Sequence, residues 1–363
     1  MHAFRTNRSS FRGGAARRGL WIAACCALLA PGVSSAHEDG ELHVVTTLPY
    51  LAEVVRAVGG DRVEVEALAP PGQDPHFIQP TPARSLTLSK AHVLIENGVQ
   101  LELWSERVID GARNQQIRPG YPGHLYAAVG VRPLQVPRQQ TRASGDVHVG
   151  GNPHVWLDPL NLKTIARNVE QTLAGVRPGS AEAFAKNRRA FEERLDRAYF
   201  GEDLLKILGN NLLTRLQRQG TLVSFLQEKQ FQGEPLVNKA GGWLGRSLEL
   251  GPLKVISYHQ VWTYFASVFP LEVVATIEEK PGIPPSPGHL DQLEQVAGST
   301  GAKVVLVAPF YPLSRAEGVA ERIGGTAIVL PTQPGEEGTT GLFDLFDTIL
   351  ERLAAAKAKV AGQ

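Results

Sequence analysis

Ser180-Ala181-Glu182-Ala183-Phe184-Ala185-Lys186-Asn187-Arg188-Arg189-Ala190-Phe191-Glu192-Glu193-Arg194-Leu195-Asp196-Arg197-Ala198-Tyr199-Phe200 holds no glycine or proline. Phe184, Phe191, Leu195 and Tyr199 recur at helical spacing, while Lys186, Arg188, Arg189, Glu192, Glu193 and Arg194 crowd the remaining surface. The pattern predicts one continuous helix of roughly 30 Å at about 1.5 Å per residue. Ser180 is its expected N-cap, with Glu182 in the first turn. A helix of this length between two strand-bearing regions is a stiff connector.

On its N-terminal side, Leu42–Thr47, Val63–Leu68 and Ala91–Ile95 are β-branched or apolar runs, with a helical pattern over Leu51–Val58. On its C-terminal side, Lys254–Tyr258, Leu271–Ile277, Lys303–Ala308 and Thr326–Leu330 are four strand candidates with helical spacers. Strands alternating with helices imply parallel sheets covered on both faces. The fold class is therefore α/β: two parallel-sheet lobes joined by a long rigid helix. The expected division is 1–36 signal segment, 37–177 N-terminal lobe, 178–205 linking helix and 206–363 C-terminal lobe. Residues 134–153 read as a loop, and residues 200–250 carry helical patterning without an assigned role.

The first 19 residues contain Arg5, Arg8, Arg12, Arg17 and Arg18 and no acid. The apolar run Leu20–Ala30 follows, then Val33-Ser34-Ser35-Ala36. This order is that of a secretory signal with cleavage after Ala36, and the apolar run is shorter than the about 20 residues of a membrane span. Ile22-Ala23-Ala24-Cys25 is a lipoprotein-like box, but the sequence stays apolar past Cys25; Arg17-Arg18 also admits a twin-arginine route. Ordinary secretion to the periplasm is the expectation, with lipid anchoring at Cys25 the lesser alternative.

Residues 1–36 hold five of the 37 basic residues and none of the 36 acids, so the remainder carries 32 basic against 36 acidic groups. That surface argues against nucleic acid, which requires basic patches to neutralise phosphate. Both cysteines, Cys25 and Cys26, lie in the signal segment. The exported chain has no disulfide, thiolate site or cysteine nucleophile, so metal chemistry must use His, Asp or Glu.

Three histidines stand at expected element ends: His76 in Asp74-Pro75-His76, His154 in Asn152-Pro153-His154-Val155-Trp156-Leu157-Asp158-Pro159, and His259 in Tyr258-His259-Gln260-Val261-Trp262-Thr263-Tyr264-Phe265. Prolines restrict the backbone before the first two. His259 follows a strand, where ligands of open α/β sheets bind. Taken singly, each is as readily a surface or core histidine, and no local HExxH or CxxC signature is present.

The three stretches, with Gln79-Pro80-Thr81-Pro82 after the first, resemble the metal-binding motifs of the zinc- and manganese-specific solute-binding proteins of ABC importers. Thr46–Tyr50, Asn97-Gly98 with Leu101-Glu102-Leu103-Trp104, and Pro284-Pro285-Ser286-Pro287 add to the likeness, which covers nearly all of residues 41–355 except 200–250. The resemblance implies two α/β lobes with a metal in the inter-lobe cleft, held by His76 and His154 from the first lobe and His259 from the second. It implies a membrane permease and an ATPase as partners, and no catalysis; the receptor is expected to be monomeric.

One departure stands out. The family completes its site with an Asp or Glu after the last strand, but here Thr326–Leu330 runs into Pro331-Thr332-Gln333-Pro334-Gly335, and Ala308 stands where many relatives carry glutamate. Water, Glu278 or Glu336 are the candidates for the fourth position, both glutamates being equally readable as surface charges. Three imidazoles suit zinc, whereas manganese prefers carboxylate oxygen, so zinc is the expected cargo. Asp146 and His148 form at most a poor version of the metal-gathering loop of some relatives. His43, His92, His124 and His289 have no motif around them. The rival readings are a secreted zinc-dependent hydrolase, for which no general base stands beside the histidines, and a manganese-specific or adhesin-type member of the family.

Overall fold

The structure, a computed structural model, describes residues 40–137, 148–279 and 282–362. The N-terminal basic and apolar segment, Cys25, the cleavage site near Ala36 and Asp146 lie outside the described residues. Among those described, no helix is long and apolar enough to cross a membrane.

Four parallel strands form the first sheet, β1 (Leu42–Thr46), β2 (Val63–Ala67), β3 (Val93–Glu96) and β4 (His124–Tyr126), in the order β2-β1-β3-β4. A short antiparallel pair, β5 (Gln230–Phe231) and β6 (Glu234–Pro235), lies between the lobes in sequence. The second sheet is also parallel: β7 (Leu253–Ser257), β8 (Leu271–Thr276), β9 (Val304–Val307) and β10 (Thr326–Val329), in the order β10-β9-β7-β8. In each sheet the strand that comes first in sequence, β1 or β7, is flanked by neighbours on both sides. The chain reverses direction of winding there, opening a crevice beyond the carboxyl ends of the strands.

The long helix is continuous from Ala181 to Phe200. Phe184, Phe191, Leu195 and Tyr199 are all buried, each such side chain contributing about 1.5–3 kcal/mol. The helix packs on helices Pro49–Gly59 and Asn161–Val176 of the first lobe and on Gly242–Leu250 of the second. Arg194 lies 3.7 Å over the Phe343 ring, and the buried Lys163 ammonium is 2.7 Å from Asp196 Oδ1. Ser180 is not a side-chain cap: its hydroxyl makes no capping bond, because a short 3-10 turn, Pro178–Ser180, precedes the helix instead. The main hydrophobic core runs without interruption from Leu42 in the first lobe to Ala356 in the second. That continuity makes the lobes one packed body.

Between Phe200 and Gly242 the chain forms three short helices, Glu202–Leu208, Asn210–Arg218 and Leu222–Glu228, then the β5–β6 pair. Its two ends meet. A Cβ on Gly201 (φ +79°) would come within 2.6 Å of Gly241 Cα, and Gly241 N–H donates to the Phe200 carbonyl at 3.2 Å. The segment is clamped to the first lobe by Arg218, whose guanidinium is 2.6 Å from the buried carboxylate of Asp158, and to the long helix by Asn210, which reaches Asp196.

Candidate metal centre

His76, His154 and His259 come together at the carboxyl ends of the two sheets, one ring nitrogen from each lying within 4.8 Å of the others. Ring centroids are 5.4 Å apart for His76–His154, 5.7 Å for His76–His259 and 5.7 Å for His154–His259. His154 and His259 are buried, and the His76 side chain keeps 6% exposure.

The first two histidines are built by one local device. Asp74 and Asn152 each stand two residues before a histidine, across a proline that keeps the intervening backbone from helix. Asp74 Oδ1 accepts from His76 N–H at 3.0 Å and lies 2.7 Å from its Nδ1; Asn152 Oδ1 accepts from His154 N–H at 3.0 Å and lies 3.0 Å from its Nδ1. In the third, Glu278 Oε2 is 2.7 Å from His259 Nδ1. Three acceptors therefore fix the proton on Nδ1 of every ring and turn Nε2, with its lone pair, toward the shared centre. Nε2 of His76 and of His154 are buried and have no hydrogen-bond partner among the described residues. Such orphaned buried lone pairs call for a bound group. Burial, then the neighbouring rings of His76, His259 and His148, push the pKa of His154 well below the ordinary histidine value, keeping it neutral and ready to ligate.

The smaller motif matches act as supports. Trp104 donates from Nε1 to the Pro75 carbonyl at 2.9 Å, pinning the His76 loop. Tyr50 OH donates to Asn97 Oδ1, and Asn97 Nδ2 donates to the Pro153 carbonyl, pinning the His154 loop. Glu102 accepts from Thr47 Oγ1–H and from the N–H groups of Asn97 and Gly98, closing the turn that carries Asn97. Tyr50 stacks on Trp156 at 4.9 Å, and Trp156 Nε1 donates across the cleft to the Thr332 carbonyl at 2.7 Å.

Neither glutamate weighed for the fourth position faces the three lone pairs, and neither is a surface charge. Glu278 is spent on His259 Nδ1. Glu336 is buried behind the loop after β10, where its carboxylate accepts from the N–H groups of Thr332, Gln333 and Gly72. Asp146 lies outside the described residues, but His148 is present: its ring stacks on His76 at 5.2 Å. The motif-less histidines are structural: His92 Nδ1 accepts from His43 N–H, His124 pairs with buried Glu96, and His289 bonds the Thr276 carbonyl.

Two parallel-sheet lobes on a long helix, with convergent side chains at the strand ends between them, have the architecture of a solute-binding receptor. The family described as zinc-uptake complex component A, periplasmic (ZnuA) matches residues 44–199 and 243–356. The chain belongs to that family, whose members are metal-binding substrate receptors of ABC importers. It is 29% identical over 184 residues to the manganese ABC transporter substrate-binding lipoprotein PsaA of Streptococcus pneumoniae, covering 49% of this chain and 56% of that protein. It is 27% identical over 269 residues to a putative metal-binding protein of Treponema pallidum, covering 71% and 81%. The chain thus spans little more than half the length of the pneumococcal relative. Among solved structures, a zinc-bound deletion mutant of ZnuA superposes with TM-score 0.62 at 22% identity over 87% of this chain and 98% of that one. The manganese-bound periplasmic metal-binding protein of Candidatus Liberibacter asiaticus gives 0.61 at 17% identity over 87% and 99%. Both likenesses are of fold. The family model skips 200–242, the segment that leaves and rejoins the chain at Gly201 and Gly241.

Proposed function

We propose that the chain is an exported receptor that captures one zinc ion on His76, His154 and His259 and hands it to a membrane permease driven by its ATPase. The convergence of three Nδ1-anchored imidazoles on one point carries this reading. Zinc is favoured over manganese because the donor set is imidazole, while the nearby carboxylates sit behind the rings and not among the donors. Asp74 and Glu278 then supply negative charge through the Nδ1–H bonds, offsetting the ion's charge without touching it. Membership of an importer-receptor family supports the partners, and the basic and apolar leader at 1–36 supports export with cleavage near Ala36. We place the lobe boundaries at 37–177 and 206–363 around the linker 178–205, and read the receptor as a monomer.

The test is titration of metal-stripped protein with zinc and with manganese, alongside elemental analysis of protein as purified. One tight zinc per chain and weaker manganese are expected. Tighter manganese, or no zinc uptake, would overturn the reading.

A further inference from the structure

Among the described residues, loop 331–336, which follows β10 in the second lobe, adds nothing to the ligand atoms at the centre, yet its Thr332, Gln333 and Glu336 are all buried. Each of the three makes a hydrogen bond to a different part of the first lobe. The helix Pro49–Gly59 begins without a side-chain cap of its own, which leaves its first N–H groups in need of acceptors. Gln333 Oε1 accepts from Tyr50 N–H at 3.1 Å, so that helix is capped from the other lobe. The Thr332 carbonyl accepts from Nε1–H of Trp156, two residues after His154, at 2.7 Å. Glu336 Oε1 accepts at 3.1 Å from N–H of Gly72, two residues before the Asp74 that anchors His76.

Glu336 also shapes the loop that it ties. Its Oε2 accepts from Thr332 N–H at 2.6 Å, from Gln333 N–H at 3.0 Å and from the Thr332 hydroxyl at 3.0 Å. The two loops lie in close contact: a Cβ on Gly335 (φ +89°) would come within 2.7 Å of Pro71 Cγ. Because one loop carries all three bonds, parting the strand ends would break them together and leave buried donors without acceptors. Resting on the receptor reading above, we infer that loop 331–336 is a three-point clasp that fixes His259 relative to His76 and His154, and that Gln333 and Glu336 thereby set the preference for zinc over manganese. Zinc is satisfied by three imidazoles and one small ligand at about 2.0–2.1 Å. Manganese favours octahedral oxygen coordination and so needs room for several waters. Held strand ends deny that room; freed ones let the crevice widen. The turn after His259 is tied across the cleft as well, by Asn152 Nδ2 donating to the Gln260 carbonyl at 2.7 Å, so the spacing is held at two places.

Hydrogen exchange on the metal-free exported chain, with zinc and manganese titration of the same samples, tests this in wild type, Glu336→Gln and Gln333→Met. Glu336→Gln keeps one oxygen for the loop's own N–H groups and turns an amide NH2 toward Gly72; Gln333→Met keeps the bulk and removes the acceptor. In wild type the Tyr50 and Gly72 amides should be protected without metal. Each variant should speed exchange at both amides, including the one whose own partner is untouched, whereas a merely local loss would move only one. Zinc affinity should fall roughly 3- to 10-fold, the worth of about one hydrogen bond, and manganese affinity should fall less. Rapid exchange at both amides in wild type, an effect confined to the substituted residue's own partner, or an equal fall for both metals would overturn the inference. The two readings fail separately. If wild type takes up no zinc, the receptor reading falls whatever the amides do; if it takes up zinc while neither variant moves the other's amide, only the clasp falls.

Discussion

The Glu278 carboxylate lies 2.7 Å from Nδ1 of His259, and that contact decides which nitrogen of the ring faces the other imidazoles. Glu278→Ala removes the anchor and frees the tautomer, so zinc affinity should fall about 10- to 100-fold. Glu278→Gln keeps an acceptor oxygen and should fall less. Calorimetric titration of both variants checks the order; equal and negligible effects would contradict the role.

Removing a ring that points at the centre should cost more than removing its anchor. His76→Ala and His259→Ala are each expected to lose roughly 100-fold or more, above the range for supporting groups. Competition against a chelator of known affinity measures it.

Acid should weaken both cargo binding and the empty fold. Imidazoles must be neutral to ligate. His154 is held neutral in the fold by burial and by its neighbouring rings, whereas in the unfolded chain it takes a proton near pH 6.5. The unfolded state therefore binds more protons below about pH 6.5, and stability falls as pH falls through that window. Melting of metal-free protein from pH 7 down to pH 5 should show the decline, and His154→Gln should flatten part of it.

Glu102 works in the opposite sense. Burial and the nearby Glu96 raise its pKa to about 8, against about 4.3 when unfolded. Between those values the folded state holds the extra proton, so this group's contribution is fully present at low pH and is lost as pH rises toward 8. Glu102→Gln keeps the shape and should remove that slope, visible as a flatter melting-temperature profile from pH 5 to 8.

Arg218 reaches from the inserted helices to Asp158, whose side chain is almost fully buried. Arg218→Ala leaves that carboxylate without its cation. The expected loss is about 1–2 kcal/mol, at the low end for charged hydrogen bonds because the guanidinium remains 40% exposed. Asp158→Asn in the same chain should recover part of the loss, which a double-mutant cycle by chemical denaturation would read.

Much of this was legible in the sequence. The seven apolar runs are seven of the eight strands in the two parallel sheets, because buried parallel strands need continuous apolar residues. The missed strand, His124–Tyr126, is three residues long and only partly buried, so it left no pattern. The histidines were found by their motifs, but their anchors were not. Asp74 and Asn152 were readable from the repeated Asx-Pro-His spacing, since a short side chain two residues ahead can reach both the N–H and the ring. Glu278 was not, because its position opposite His259 depends on β7 and β8 pairing side by side. Residues 200–242 resisted because three short helices packed on a neighbour carry their apolar faces in pieces.

The pinch at Gly201 and Gly241 makes the chain path closed at that point whether or not the intervening residues are there. The same two stems could carry material of different size, but Leu204, Leu213, Leu222, Leu226 and Leu236 of the present segment are buried in the main core, so its loss would uncover apolar surface there. The segment leaves and returns at one base yet is held to its carrier by shared core packing, by Arg218 on Asp158 and by Asn210 on Asp196, so a change within it would be felt in packing and not in the path of the chain.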